Sequence, residues 1–90
     1  MRAVDAAHEF IDVTFKLLDI YKEKRSSGDV SETRDVDLQG PFALRINQAG
    51  FIYLIEKKPD GTVKHTYAPG SRTGFPAGNL MSIYLEKLYS

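Results

Sequence analysis

The chain contains no cysteine, so no disulfide can staple it and no thiolate can hold a metal. Its two histidines, His8 and His65, stand far apart and do not make a metal site. No apolar run is long enough to span a bilayer. Asp5 and Glu9 fall where a secretory leader needs a basic start and an unbroken apolar stretch, so the expected compartment is the cytoplasm. Net charge is missing too: twelve Lys and Arg balance twelve Asp and Glu, which removes any electrostatic prior for nucleic acid or an anionic membrane. There is no internal repeat and no low-complexity segment.

What is present is ordinary for a folded domain. The 90 residues are 42% hydrophobic and 27% charged, enough for one domain with one core, residues 1–90. A chain this short buries a modest share of its surface. With no staple, its stability depends on good packing or on self-association. Charge is unevenly placed. Residues 1–38 carry nine acids against six bases, and residues 39–90 carry three acids against six bases, a contrast that allows opposite halves to attract.

Residues 2–24 read as a helix, free of Gly and Pro, with Asp5, Glu9, Asp12, Lys16, Asp19 and Glu23 on one charged stripe. The rest of the circumference is apolar. Val4, Ala7, Ile11, Phe15 and Leu18 form one stripe; Phe10, Val13, Leu17 and Ile20 form a second, with Tyr21 between them. Together they span about 200°, against the stripe of about 100° that suffices to dock a surface helix. A helix with two apolar faces needs two things to pack against. The expectation is that the first stripe covers a sheet and the second faces a symmetry mate in a homodimer.

Residues 25–39 read as a charged linker; the stretch 30–37 is open to a loop or a short edge strand whose charges discourage foreign pairing. The sheet is expected over 42–67. Phe42, Leu44 and Ile46 alternate with Ala43, Arg45 and Asn47, as in a half-buried strand. Residues 51–55 are apolar on both faces, as in a central strand. Lys57-Lys58-Pro59-Asp60-Gly61-Thr62 is a hairpin turn, and Val63, His65 and Tyr67 share a face of the return strand. A Gly/Pro-rich loop occupies 68–78. Residues 79–89 fit a helix capped by Asn79, or alternatively a fourth strand. The expected fold is α+β: an N-terminal helix, a three-stranded antiparallel β-meander and a C-terminal helix packed near the first.

Leu44-Arg45-Ile46, Gly50-Phe51-Ile52-Tyr53-Leu54, Pro59-Asp60-Gly61 and Tyr67-Ala68-Pro69 form a pattern across residues 40–72. This third of the chain resembles a bacterial domain family of unknown function found attached to signalling kinases and caspase-like proteases. The resemblance implies a β-rich binding or sensing module without catalytic residues.

No constellation for catalysis or for a cofactor emerges from the residues. His65, sharing a face with Val63 and Tyr67, reads as a packed or rim histidine, and His8 as solvated. The Gly/Pro loop offers backbone amides together with Ser71, Arg72 and Thr73, donors suited to a small anionic ligand, with His65 the neighbouring candidate. It lacks the spacing and lysine of a nucleotide-binding P-loop. Phe10, Phe15, Phe42 and Phe51 are expected in the core, whereas Tyr53, Tyr67, Tyr84 and Tyr89 suit a protein contact. The expected function is a non-enzymatic protein-interaction module, a homodimeric adaptor or inhibitor binding another protein through Phe10, Val13, Leu17, Ile20, Tyr21 and Tyr84. A ligand or anion sensor using Ser71-Arg72-Thr73 is the alternative. Neither reading requires a nucleic acid, a membrane or a cofactor.

Overall fold

A computed structural model describes residues 2–28, 34–47, 50, 52–66 and 78–90. Helix α1 spans Ala3–Ser26. Four strands follow, β1 Arg34–Asp37, β2 Phe42–Ile46, β3 Ile52–Lys57 and β4 Val63–Thr66, and helix α2 spans Gly78–Tyr89. The strands form one antiparallel sheet in the order β1-β2-β3-β4, each paired with the next in sequence. The fold is α+β. One expectation changes in detail. The sheet has four strands, because Arg34–Asp37, within the stretch read as a linker, pairs with β2 as a charged edge. The segment from Gly78 is helical, as expected, with Leu80 and Tyr84 fully buried one turn apart and Ser82 between them exposed, a pattern that the alternation of a strand would break.

Local chemistry sets the boundaries. Asp5 lies in the first turn of α1, Lys24 and Arg25 in its last, and each suits the adjacent end of the helix dipole. Gly28 follows in the left-handed region at φ +79°, and its N–H donates to the Arg25 carbonyl at 3.1 Å, the glycine stop that closes many helices. In the β3–β4 turn, Gly61 adopts φ +88°. The Asp60 carboxylate there accepts from the Thr62 N–H at 2.9 Å and from its hydroxyl at 2.6 Å. Those bonds hold the Asp60 pKa below its ordinary value, the Thr62 hydroxyl contributing most.

Both helices lie on the same face of the sheet, α1 across β1 and β2 and α2 over β3. The core fills the space between. Phe42, Leu44 and Ile46 of β2 and Ile52 and Leu54 of β3 meet Ala6, Phe10, Val13 and Leu17 of α1 and Leu80 and Tyr84 of α2. Ala6 is fully buried where its small side chain permits close approach, and the Thr14 hydroxyl, equally buried, donates to the Phe10 carbonyl at 2.8 Å. Each large apolar side chain so enclosed contributes about 1.5–3 kcal/mol relative to exposure.

Tyr84 joins three elements. Its ring lies 5.6 Å from Phe10 of α1 and 5.8 Å, edge-on, from Phe42 of β2. Its hydroxyl accepts the Gln39 N–H at 3.3 Å, and the Gln39 side-chain amide donates to both carboxylate oxygens of Glu9 at 2.9 Å. Burial pushes the Tyr84 pKa up, partly offset by the Gln39 amide and reinforced by the nearby Glu9 charge.

The arrangement corrects the assignment of the helix stripes. Phe10, Val13 and Leu17, expected to face a symmetry mate, cover the sheet instead. The stripe expected to cover it points away: Val4 is 49% exposed and Phe15 54% exposed. The reason is shape. The inward face carries the small Ala6 and Thr14 among its large residues, which lets the helix sit close on β2 and admit the Tyr84 ring. The outward stripe carries one small residue, Ala7, against the two of the inward face.

Candidate interaction surface

Of the residues expected to meet a partner, Phe10, Val13, Leu17 and Tyr84 are spent on the core. Ile20 and Tyr21 are half-buried, and Tyr21 packs against the same core. Among the described residues, part of the apolar surface left over lies on the other side of α1, with Val63 and Tyr89 exposed elsewhere. Val4, Ile11, Phe15 and Leu18 run along that side of α1, Val4 and Phe15 exposed, Ile11 and Leu18 half-buried, with Leu18 packed in part against the core. The helix places them there because residues four, seven and eleven positions apart share a face. His8 and Lys22 lie in the same line and are exposed. Phe15 therefore departs from its expected place in the core, while Phe10 and Phe42 occupy theirs.

The opposite face of the sheet is the second surface. Antiparallel register brings Asp35, Arg45 and Tyr53 into one cross-strand row and Asp37, Ala43, Ile55 and His65 into the next. Arg45 donates to Asp35 at 3.1 Å. Lys57 of β3 reaches past Ala43 of β2 to Asp37 of β1 at 2.8 Å. Burial draws the Arg45 pKa down, but hydrogen bonds to Asp35 and Tyr53 outweigh it and hold the guanidinium above its ordinary range. The Lys57 ammonium is also raised, chiefly by its bond to Asp37. Ala43, Tyr53 and Ile55 form a small buried cluster of their own on this face.

His65 is exposed on β4, with its ring 5.3 Å from that of Tyr53 in an edge-on contact. That is a rim position, as its place beside Val63 suggests. Tyr53, expected at a contact surface, is 5% exposed, whereas Tyr89 is 49% exposed at the end of α2. Ser71, Arg72 and Thr73, with Tyr67, lie outside the described residues. Among the described residues no group of three or more His, Asp or Glu could hold a metal ion, and no helix is long and apolar enough to cross a membrane.

No protein-family model, curated protein or solved structure matches this chain. Two surfaces of the described residues bear on function, the outward side of α1 and the outer face of the sheet. The two differ in kind. On the sheet's outer face the ionic groups are matched within the fold, and such exposed pairs contribute about 0–1 kcal/mol each. On α1, Val4 and Phe15 stay about half exposed behind the core formed by its other face. Most of the α1 residues that sequence reasoning singled out lie on its buried side.

Proposed function

We propose that this chain is a non-enzymatic protein-interaction module, an adaptor or inhibitor, whose contact face is the outward stripe of α1. The observation that carries the reading is the exposure of Val4 and Phe15, 49% and 54%, along one line with Ile11 and Leu18. Isolated exposed apolar residues are common, but an aligned set on a long helix is the usual form of a helix-docking surface. The core is built mainly from other residues, Phe10, Val13, Leu17, Leu80 and Tyr84 among them, with Leu18 the member of the stripe that packs in part against it.

The test is selection of binding segments from a displayed peptide library on the full chain. Counter-selection uses Val4→Glu and Ile11→Glu variants that retain the wild-type melting temperature. Binders lost on both variants support the reading. Binders that persist on both place the contact face elsewhere and reject it.

A further inference from the structure

The charges beside the outward stripe indicate what kind of partner it takes, granted that the stripe is the contact face. Val4, Ile11 and Leu18 recur every seven residues, and His8, Phe15 and Lys22 follow each of them by four. That alternation of four and three is the seam of a coiled coil. One position after each member of the first set stands an aspartate: Asp5, Asp12 and Asp19, all exposed. On the other flank of the seam lie Ala7, Thr14 and Tyr21, where Thr14 is buried and Tyr21 packs on the core. A helix laid in the seam thus meets three carboxylates along one edge and the body of the domain along the other. Among the described residues none of these three carboxylates is held in an ion pair.

We propose that this face binds a basic amphipathic helix of another protein. Its apolar stripe would pack on Val4, Ile11 and Leu18, and lysine or arginine beside that stripe would oppose Asp5, Asp12 and Asp19. A second copy of the chain fits poorly. Antiparallel self-pairing sets the aspartate rail against itself, and parallel self-pairing sets it against Ala7, Thr14 and Tyr21, which carry no positive charge. An anionic membrane is repelled by the same rail.

The experiment uses two synthetic helical peptides of about three heptads, each with leucine at the seam positions. One carries lysine at the flanking positions and the other glutamate. Binding to the full chain is read by fluorescence anisotropy at two salt concentrations. The lysine peptide is expected to bind on the order of ten- to a hundredfold tighter than its glutamate twin, a preference that shrinks as salt rises. Asp12→Lys should erode the preference, and Ile11→Glu should abolish binding of both peptides. Val4→Glu serves the same purpose should Ile11→Glu lose its cooperative melt. Equal binding of the two peptides, lost on Ile11→Glu, overturns the basic partner and leaves the contact face standing. No binding by either peptide, or lysine-peptide binding indifferent to Ile11→Glu and Val4→Glu, overturns the contact face as well. A homodimer in light scattering that dissociates on Ile11→Glu identifies the second copy as occupant and overturns the basic partner.

Discussion

Helix α1 carries two apolar stripes of nearly equal hydrophobicity, and the fold treats them oppositely. Phe10, Val13 and Leu17 are enclosed between sheet and α2, while Val4 and Phe15 on the other side stay about half exposed. Composition does not separate them: each holds one phenylalanine together with branched aliphatic residues. What separates them is complementarity to Tyr84 and β2, a property of three elements at once. The difference teaches that hydrophobic periodicity locates a helix and its number of faces, whereas the fit to elements distant in sequence decides which face goes inside.

The sharpest way to break this contrast is to truncate one residue from each stripe. Leu17→Ala should cost about 2–5 kcal/mol in urea-unfolding experiments, since a fully buried leucine leaves a cavity. Val4→Ala should fall within about 0.5 kcal/mol of wild type, as exposed positions do. Equal losses at the two sites would mean that the outward stripe is covered within the folded chain.

Tyr84→Phe tests the junction that makes the inward stripe fit. It keeps the ring contacts with Phe10 and Phe42 but removes the acceptor of the Gln39 N–H, and about 0.5–1.5 kcal/mol should be lost. The raised Tyr84 pKa adds a pH signature. Burial favours the neutral phenol, so its contribution is complete below the ordinary value of 10.0 and declines as pH rises from there through the higher folded-state value. Thermal melts above pH 10 should therefore fall more steeply for wild type than for Tyr84→Phe.

The outer face of the sheet should respond far more weakly. A double-mutant cycle on Asp35→Ala and Arg45→Ala should give a coupling of about 0.2–1 kcal/mol that shrinks with added salt. A larger value would move that face from a solvated ionic surface toward a structural one. The smallest effect belongs to the β3–β4 turn. Asp60 titrates below its usual 3.8, so its bonds to Thr62 should persist above that value and be lost as pH falls through the lowered one. The Thr62 amide resonance in an NMR pH titration reports this directly.

Much of the architecture was legible in the residues. Both helices, the alternation in β2, the two-sided burial of β3 and the Pro-Asp-Gly turn follow from periodicity and turn chemistry. Strand β1 was harder to see. Asp35 and Asp37 occupy the outward positions of an edge, where alternation of charge with Val36 and Leu38 looks equally like a polar linker. The candidate site was legible only in part. Two apolar faces on α1 announced a surplus of apolar surface, but choosing between them required Tyr84, which approaches from the far end of the sequence. The spacing of Asp5, Asp12 and Asp19 was the available signal: three carboxylates at heptad intervals hug the stripe that stays in water.

The Phe10–Tyr84 contact also bears on how the domain assembles. Every strand pairing joins neighbours in sequence, so the sheet can zip up through short loops, while this ring contact joins residues that must wait for a very large loop to close. Formation of the meander and docking of the two helices are thus separable in time. Pulse-labelled amide exchange should find β2 and β3 protected earlier than α1 and α2 during refolding. Because Tyr84 completes the cover over β2 only when α1 is seated, the two helices should gain protection together, as one late cooperative unit.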